Sequence, residues 1–283
     1  FLTEEAPANL ESQLEHMDWS YLDMIHNKEQ QRGTFSPLAA MELSEIEANK
    51  DKYLATGLDA VKNGKVGAIL LAGGQGTRLG FDKAKGMFNI GKTKELYIFE
   101  QLVANLMKVT KQTGTWVPLY VMTSEINDSM TREFFEEHDY FGYNKDYVKF
   151  FVQEMVPAVD FDGNLLMKSE DSLAMSPNGN GGWFKSLINA GLDKDLKDKG
   201  VEWLNVFGVD NVLQQIADPV FVGAIIEAGG VSGSKVVRKC DPYERVGAMC
   251  LENGKPSIVE YYELTPEMAE AKNENGSLQY GFG

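Results

Sequence analysis

The stretch "LAGGQGTRLGFDKAKG", residues 71–86, follows directly on the apolar run "VGAILLA", residues 66–72. A short continuous apolar run that ends in glycines is a strand buried on both faces, which belongs in a parallel sheet. The downstream pattern agrees. "ELYIFEQLVANLMKV" has helix periodicity, "WVPLYVMTS" is strand-like, and "NDSMTREFFEEH" is a helix opened by Asn127 or Asp128. "YVKFFVQ", "WLNVFGVD" and "GSKVVRK" supply further strands, and "DPVFVGAIIEAGG" is a helix with proline near its start and glycines at its end. Strands alternating with helices predict an α/β layered domain with a mainly parallel sheet. "DFDGNLL" and "LENGKPSIVEYYEL" are hairpin signals, so some antiparallel strands lie on or beside that sheet.

Ahead of this pattern, residues 1–62 read as a helical, polar region. "NLESQLEHMDW" and "LSEIEANKDKYLATGLDAVKNG" carry helix spacing, and "NKEQQRGTFSPL" between them is an exposed connection with breakers at Gly33 and Pro37. Its expected role is a helical cap on the α/β domain. Beginning at Phe1 rather than Met, the chain reads as trimmed.

Charge narrows the partners. With 42 acidic against 27 basic side chains, the net charge is −15, which argues against nucleic acid or an anionic membrane surface. An acidic chain binds a phosphate compound only where its cations are gathered, and Arg78, Lys83 and Lys85 stand in the glycine loop with Asp82 as the one acid. No apolar stretch is long enough to span a bilayer and no charged-then-apolar leader is present, so a cytoplasmic location is expected. Cys240 and Cys250 provide neither a disulfide framework nor a thiolate cluster; both are expected as reduced thiols in or near a core. Nothing in the sequence sets an oligomeric state.

Three phosphate loops compete for residues 71–86. A P-loop needs a lysine followed by Ser or Thr after a spaced glycine pair, and Lys92-Thr93 has the wrong spacing from Gly86. The dinucleotide fingerprint fails at Leu79, with the glycine one residue late at Gly80. The third reading takes the stretch whole. Gly73, Gly74 and Gly76 let backbone N–H groups approach a nucleotide, Arg78 forks onto phosphate oxygens, and Lys85 supplies a mobile point charge. A tight surface turn is the alternative, but it leaves the clustered cations unexplained.

The loop resembles the signature loop of the sugar-nucleotide pyrophosphorylases, specifically the eukaryotic-type UDP-N-acetylhexosamine pyrophosphorylases. "VMTSEINDSMTREFFEEHDYFG", "VKFFVQEMVPAVDFDGNLL", "LAMSPNGNGGWFKSL", "VFGVDNVLQQIADPVFVG" and "IVEYYEL" resemble that family's segments in the family's order, over roughly residues 60 to 283. The resemblance implies a Rossmann-like nucleotidyltransferase domain with a mainly parallel mixed sheet, covering residues 63–283 after the helical 1–62. It also implies that "SLQYGFG" leads into a Gly-Asn-rich sugar-contacting motif, so that the stretch ends inside the catalytic domain with a further domain beyond.

By the same resemblance, Lys85 and Arg78 are catalytic, and Gly73, Gly74, Gly76, Thr77, Gln153, Gly179 and Asn180 bind the nucleotide. Gln153 then reads uracil, whose imide edge suits a carboxamide. Gly247, Glu260 and Tyr261 face the hexose, although Tyr261 also reads as a core aromatic, since Tyr262 follows and strand faces alternate. Asp210, at the end of an apolar strand beside Asn211, is the candidate ligand for Mg²⁺ or Mn²⁺. One position departs: Ala84 stands where the family has proline, which predicts a less rigidly placed Lys85 and leaves Lys83 able to share its role.

The implied reaction joins UTP and N-acetylglucosamine-1-phosphate, with release of pyrophosphate. Glucose-1-phosphate or another hexose-1-phosphate is the alternative substrate, and a non-catalytic nucleotide-binding homologue the alternative class. His16, His26 and His138 lie outside the motifs, so covalent Ser-His or Cys-His chemistry has no support.

Overall fold

The computed structural model describes residues 8–15, 17, 19 and 32–283. Its first elements are α1 (Ala8–Glu15), β1 (Phe35–Pro37), α2 (Leu43–Ala48), α3 (Lys50–Lys62), β2 (Val66–Leu71), α4 (Ile98–Thr113), β3 (Leu119–Thr123), α5 (Asp128–Glu137) and β4 (Val148–Val152). Then come β5 (Met155–Pro157), β6 (Met167–Ser169), β7 (Ser172–Leu173), β8 (Met175–Pro177), α6 (Trp183–Asn189), α7 (Leu192–Asp198) and β9 (Trp203–Gly208). The last are α8 (Pro219–Glu227), β10 (Ala248–Glu252), β11 (Lys255–Val259) and α9 (Pro266–Glu270). Contacts gather them into a larger unit, Asp51–Ala228 with α1, and a smaller one, Gly229–Gly283 with the described part of Asn27–Lys50.

The larger unit is built on a parallel sheet in the order β4-β3-β2-β9. β2 and β3 are the inner strands and nearly every residue of both is buried, which is why they read as unbroken apolar runs. Side chains alternate between two cores. Ala68, Leu70, Leu119 and Val121 pack under α4 and α5 with Phe99, Leu102, Leu106 and Phe135. Ile69, Tyr120, Met122 and Phe151 point the other way, against Leu187 of α6 and Leu196 of α7. On that second face the buried Tyr120 hydroxyl donates to Asp195 Oδ2 at 2.7 Å, and burial pushes its phenol well above the usual tyrosine range.

α8 starts as its sequence predicts, with Pro219 in the first turn and the Asp218 carboxylate accepting from Val220 N. It crosses α3 at very short range. A Cβ on Gly57 would lie 1.8 Å from the Pro219 carbonyl oxygen, and one on Gly223 would lie 1.8 Å from that of Tyr53. Both positions therefore require glycine.

The smaller unit holds the antiparallel sheet β1-β10-β11. Asn253 and Gly254, with φ of 50° and 78°, form the two-residue turn expected between β10 and β11. Phe35 packs against the small core of Ala248, Cys250, Val259 and Tyr280.

Several expectations change. The first helix is described only as far as Glu15, and His16 and His26 lie outside the described residues. The second helical stretch breaks at Asn49 into α2 and α3. In the presumed connection, residues 27–31 lie outside the described residues, but Phe35–Pro37 is an edge strand on β10, a place where proline is tolerated. "GSKVVRK" is not a strand of the parallel sheet; it makes a short antiparallel bridge in the smaller unit, with Val237 and Gly283 exchanging backbone hydrogen bonds. Among the described residues no antiparallel strand pairs into the parallel sheet; the antiparallel strands form sheets of their own. Cys250 is buried as expected, whereas Cys240 is exposed, and both are free thiols.

Candidate active site

From β2 the chain proceeds to β3 and β4 on one side, and β9 is laid on the other. The order reverses between β2 and β9, and open α/β sheets bind ligands outside the carboxyl ends of their strands at such a point. The glycine loop leaves β2 there, and Asp210 follows β9.

The loop is a closed structure. Gly76 N donates to Lys83 O at 2.9 Å and Lys85 N to Gly74 O at 3.2 Å, on either side of a bridge between Gln75 and Ala84. A Cβ on Gly76 would come within 2.8 Å of the Phe81 ring, so a larger residue would force the loop open. Thr77 and Arg78 are exposed on a single 3-10 turn at its tip, where cations meet solvent-borne anions. Gly74 presents an open face, with nothing within 4 Å of a would-be Cβ. Ala84 is fully buried with φ −54°, an angle that proline itself would take.

Lys83 is exposed, whereas Lys85 is four-fifths buried and its Nζ lies 2.6 Å from Asp210 Oδ1. That carboxylate is 73 % exposed, and a pair with one end so open contributes only about 0–1 kcal/mol. The contact thus stores opposite charges side by side where an incoming phosphate can exchange with it. Behind Asp210 the loop is held by buried Asn105 of α4, whose Nδ2 donates to the carbonyls of Val212 at 2.9 Å and Gln214 at 3.2 Å. Gln214 Nε2 donates back to Gly208 O at 3.0 Å.

Gln153, just past β4, is buried, and its backbone N donates to Thr123 O at 2.9 Å. Its amide rests over the glycine loop: a Cβ on Gly73 would lie 2.6 Å from Gln153 Nε2. Gly179, with φ 80°, and Asn180 are exposed on the turn after β8. β5 and β8 pair antiparallel, and Asn178 N donates to Glu154 O at 3.0 Å, which ties this turn to the residue after Gln153. The larger unit therefore brings together Gly73 with Gln153, and Lys85 with Asp210.

Gly247, Glu260 and Tyr261 belong to the smaller unit. A Cβ on Gly247 would lie 3.3 Å from Glu260 Oε2, so these two share one spot; Tyr261 is half exposed and is not a core aromatic. Gly283 also comes close, its would-be Cβ 2.8 Å from Gly247 O.

Among the described residues no group of three or more His, Cys, Asp or Glu side chains is arranged to hold a metal. The donor chemistry fits Mg²⁺ in one mode only: a single exposed carboxylate, Asp210, with the remaining oxygens from water and substrate phosphates.

Sequence reasoning missed the supports. Asn127 reads as a helix cap, yet its buried side chain makes no cap bond; Nδ2 donates to Ala72 O at 3.0 Å and Oδ1 accepts from Ser124 N at 2.8 Å, pinning the root of the glycine loop. Asn105 looks like any polar residue in a helix. A polar residue on the apolar stripe of α4 was the one available signal.

These features define a class, an α/β protein of nucleotidyltransferase-like fold with its ligand loop at the switch point. A family profile described as UTP–glucose-1-phosphate uridylyltransferase matches residues 6–280, and the chain belongs to that family. The match reaches well into the first sixty residues, beyond the stretch whose motifs carried the resemblance. UDP-N-acetylhexosamine pyrophosphorylase-like protein 1 of Xenopus tropicalis is 41% identical over 240 residues, covering 82% of this chain and 47% of its own. UDP-N-acetylglucosamine pyrophosphorylase of Saccharomyces cerevisiae is 39% identical over 255 residues, covering 88% and 54%. The crystal structure of uridine diphosphate N-acetylglucosamine pyrophosphorylase from Trypanosoma brucei with an inhibitor superposes at a TM-score of 0.82, with 30% identity, over 99% of this chain and 60% of that one. The chain spans about half the length of the curated relatives it matches.

Proposed function

We propose that this chain carries the UTP site of a UDP-N-acetylglucosamine pyrophosphorylase, acting on UTP and N-acetylglucosamine-1-phosphate in the cytoplasm. The observation that carries the reading is the pairing of Lys85 with Asp210 at the switch point, beside a loop whose Gly73 lies under Gln153. The names and identities of the relatives support the choice of sugar.

In this reading the N–H groups of Gly73, Gly74 and Gly76 approach the nucleotide, Thr77 lines the loop, and Gln153, Gly179 and Asn180 take the uridine. Gln153 presents one donor and one acceptor to the uracil edge. The sugar-phosphate oxygen, already an anion, attacks the α-phosphorus in line and pyrophosphate leaves, so no general base is needed. Lys85 and Arg78 align the phosphates and balance the charge that crowds there. Asp210 would hold Mg²⁺ or Mn²⁺, which supplies further charge neutralisation when bound. On binding, Lys85 passes from the carboxylate to a phosphate oxygen. Gly247, Glu260 and Tyr261 would meet the hexose, the carboxylate accepting from sugar hydroxyls.

Calorimetric titration of the chain with UTP, CTP and ATP in the presence of Mg²⁺ tests the nucleotide half of this reading. UTP should bind at least about tenfold tighter than the other two, and Gln153→Ala should erase most of that preference. Equal affinities for the three nucleotides would remove Gln153 from a base site.

A further inference from the structure

The smaller unit holds a buried charge that neither the nucleotide nor the sugar assignment uses. Among the described residues Lys239, 9 % exposed, is the only charged residue that is buried. Taking an ammonium out of water is costly unless an opposite charge meets it. Lys85 and Lys199, with side chains 20 % and 27 % exposed, each meet a carboxylate. Lys239 forms no ion pair among the described residues. Its Nζ donates once, to the Pro242 carbonyl at 3.3 Å, and an ammonium has three N–H donors.

The backbone N of Lys239 donates to Gly281 O at 2.8 Å, and this pairing sets the side chain beside a cavity of about 300 Å³. Arg238, Cys240, Pro242, Lys272 and Ser277 also line it, whereas Gly247, Glu260 and Tyr261 do not. Arg238 is already paired with Glu42 and lies over the Phe282 ring. The carboxylates that follow Lys239 are turned to backbone N–H groups. Asp241 accepts from Tyr243 N at 2.8 Å and Glu244 from Cys240 N at 2.9 Å. Lys272 is exposed and, like Lys239, forms no ion pair among the described residues. Two cations without a counter-charge thus share one concave wall, in a chain of net charge −15.

We propose that this cavity is an anion site, apart from the glycine loop, that takes the phosphate group of a small phosphate compound. Lys239 is its buried charge and Lys272 its second cation. A phosphate oxygen supplies the counter-charge that Lys239 lacks, and shielding from water makes such a pair strong. Lysine suits the place, being a compact point charge that turns to whichever oxygen is presented. Pro242 offers an apolar wall to the carbon body of a phosphomonoester.

Calorimetric titration of glycerol-3-phosphate and, separately, inorganic phosphate tests this. It is run on the wild-type chain, Lys239→Met, Lys272→Met and Lys85→Ala, with a thermal melt of each in phosphate-free buffer. The proposed site is the binding that Lys239→Met loses and Lys85→Ala keeps. Affinity should fall at least about tenfold in Lys239→Met and about threefold in Lys272→Met. Methionine keeps the long stem without its charge, so Lys239→Met should melt within about 2 °C of wild type or above it. Tighter binding of glycerol-3-phosphate assigns the site to phosphomonoesters, and equal binding assigns it to the free ion. No binding by the wild-type chain overturns the proposal, as does binding kept in Lys239→Met or abolished by Lys85→Ala. A melt lowered beyond that margin in Lys239→Met marks a structural lysine and overturns it too.

Discussion

Lys83 and Lys85 stand two residues apart, and their spacing alone gives neither a claim over the other. The fold separates them. Lys83 is left exposed, while the 3-10 turn Lys85–Met87 bends the chain and carries Lys85 toward Asp210. The glycine loop with Arg78 and Lys85 stood out as a candidate because glycines and cations at a strand end have few other uses. Gln153, Gly179, Asn180, Gly247, Glu260 and Tyr261 came only with the resemblance. The Lys85–Asp210 contact was not legible, since the partners stand 125 positions apart and only the β2–β9 register makes them neighbours. Asn127 and Asn105 were missed for the same reason: the carbonyls they satisfy are far away in sequence or beyond a turn. At this scale the account predicts that Lys85→Ala lowers pyrophosphate-forming turnover by about 10²–10³. Lys83→Ala should stay within about threefold of wild type, because an exposed charge is well screened. Steady-state kinetics of the two variants side by side decide it, and the reverse ranking would move the role to Lys83.

Among the elements, those with local signals were read well. β2 and β3 announce themselves as unbroken apolar runs, and α8 by the proline near its start and the glycines at its end. "GSKVVRK" failed because two adjacent valines suit any extended segment, and its partner at residues 281–283 lies some forty residues on. The glycines of α3 and α8 look in sequence like weak points of two helices. In the fold they are the contact itself, since only the absence of Cβ lets the helix backbones approach so closely. Gly223→Ala should therefore cost about 1–3 kcal/mol through overpacking against Tyr53. Gly208→Ala, with nothing within 4 Å of the new methyl, should cost under about 0.5 kcal/mol. Denaturant melts of the two variants check this; equal midpoints would mean that the helix crossing relaxes freely.

Across the whole molecule, the residues assigned to the nucleotide fall in the larger unit and those assigned to the sugar in the smaller one. That separation was invisible in the sequence, because β1 precedes the parallel sheet in the chain yet belongs with β10. UTP binding calls on the first set of residues alone, whereas turnover calls on both, so the two are read separately. The most direct test of the central claim is pyrophosphate release from UTP with N-acetylglucosamine-1-phosphate and, separately, glucose-1-phosphate. It is run with this chain and with the chain carried in a polypeptide of its relatives' length. The account predicts detectable UTP binding by the chain, and pyrophosphate release from the longer polypeptide with N-acetylglucosamine-1-phosphate favoured. UTP binding with no pyrophosphate from either polypeptide and either sugar would contradict it and define a nucleotide-binding protein without catalysis.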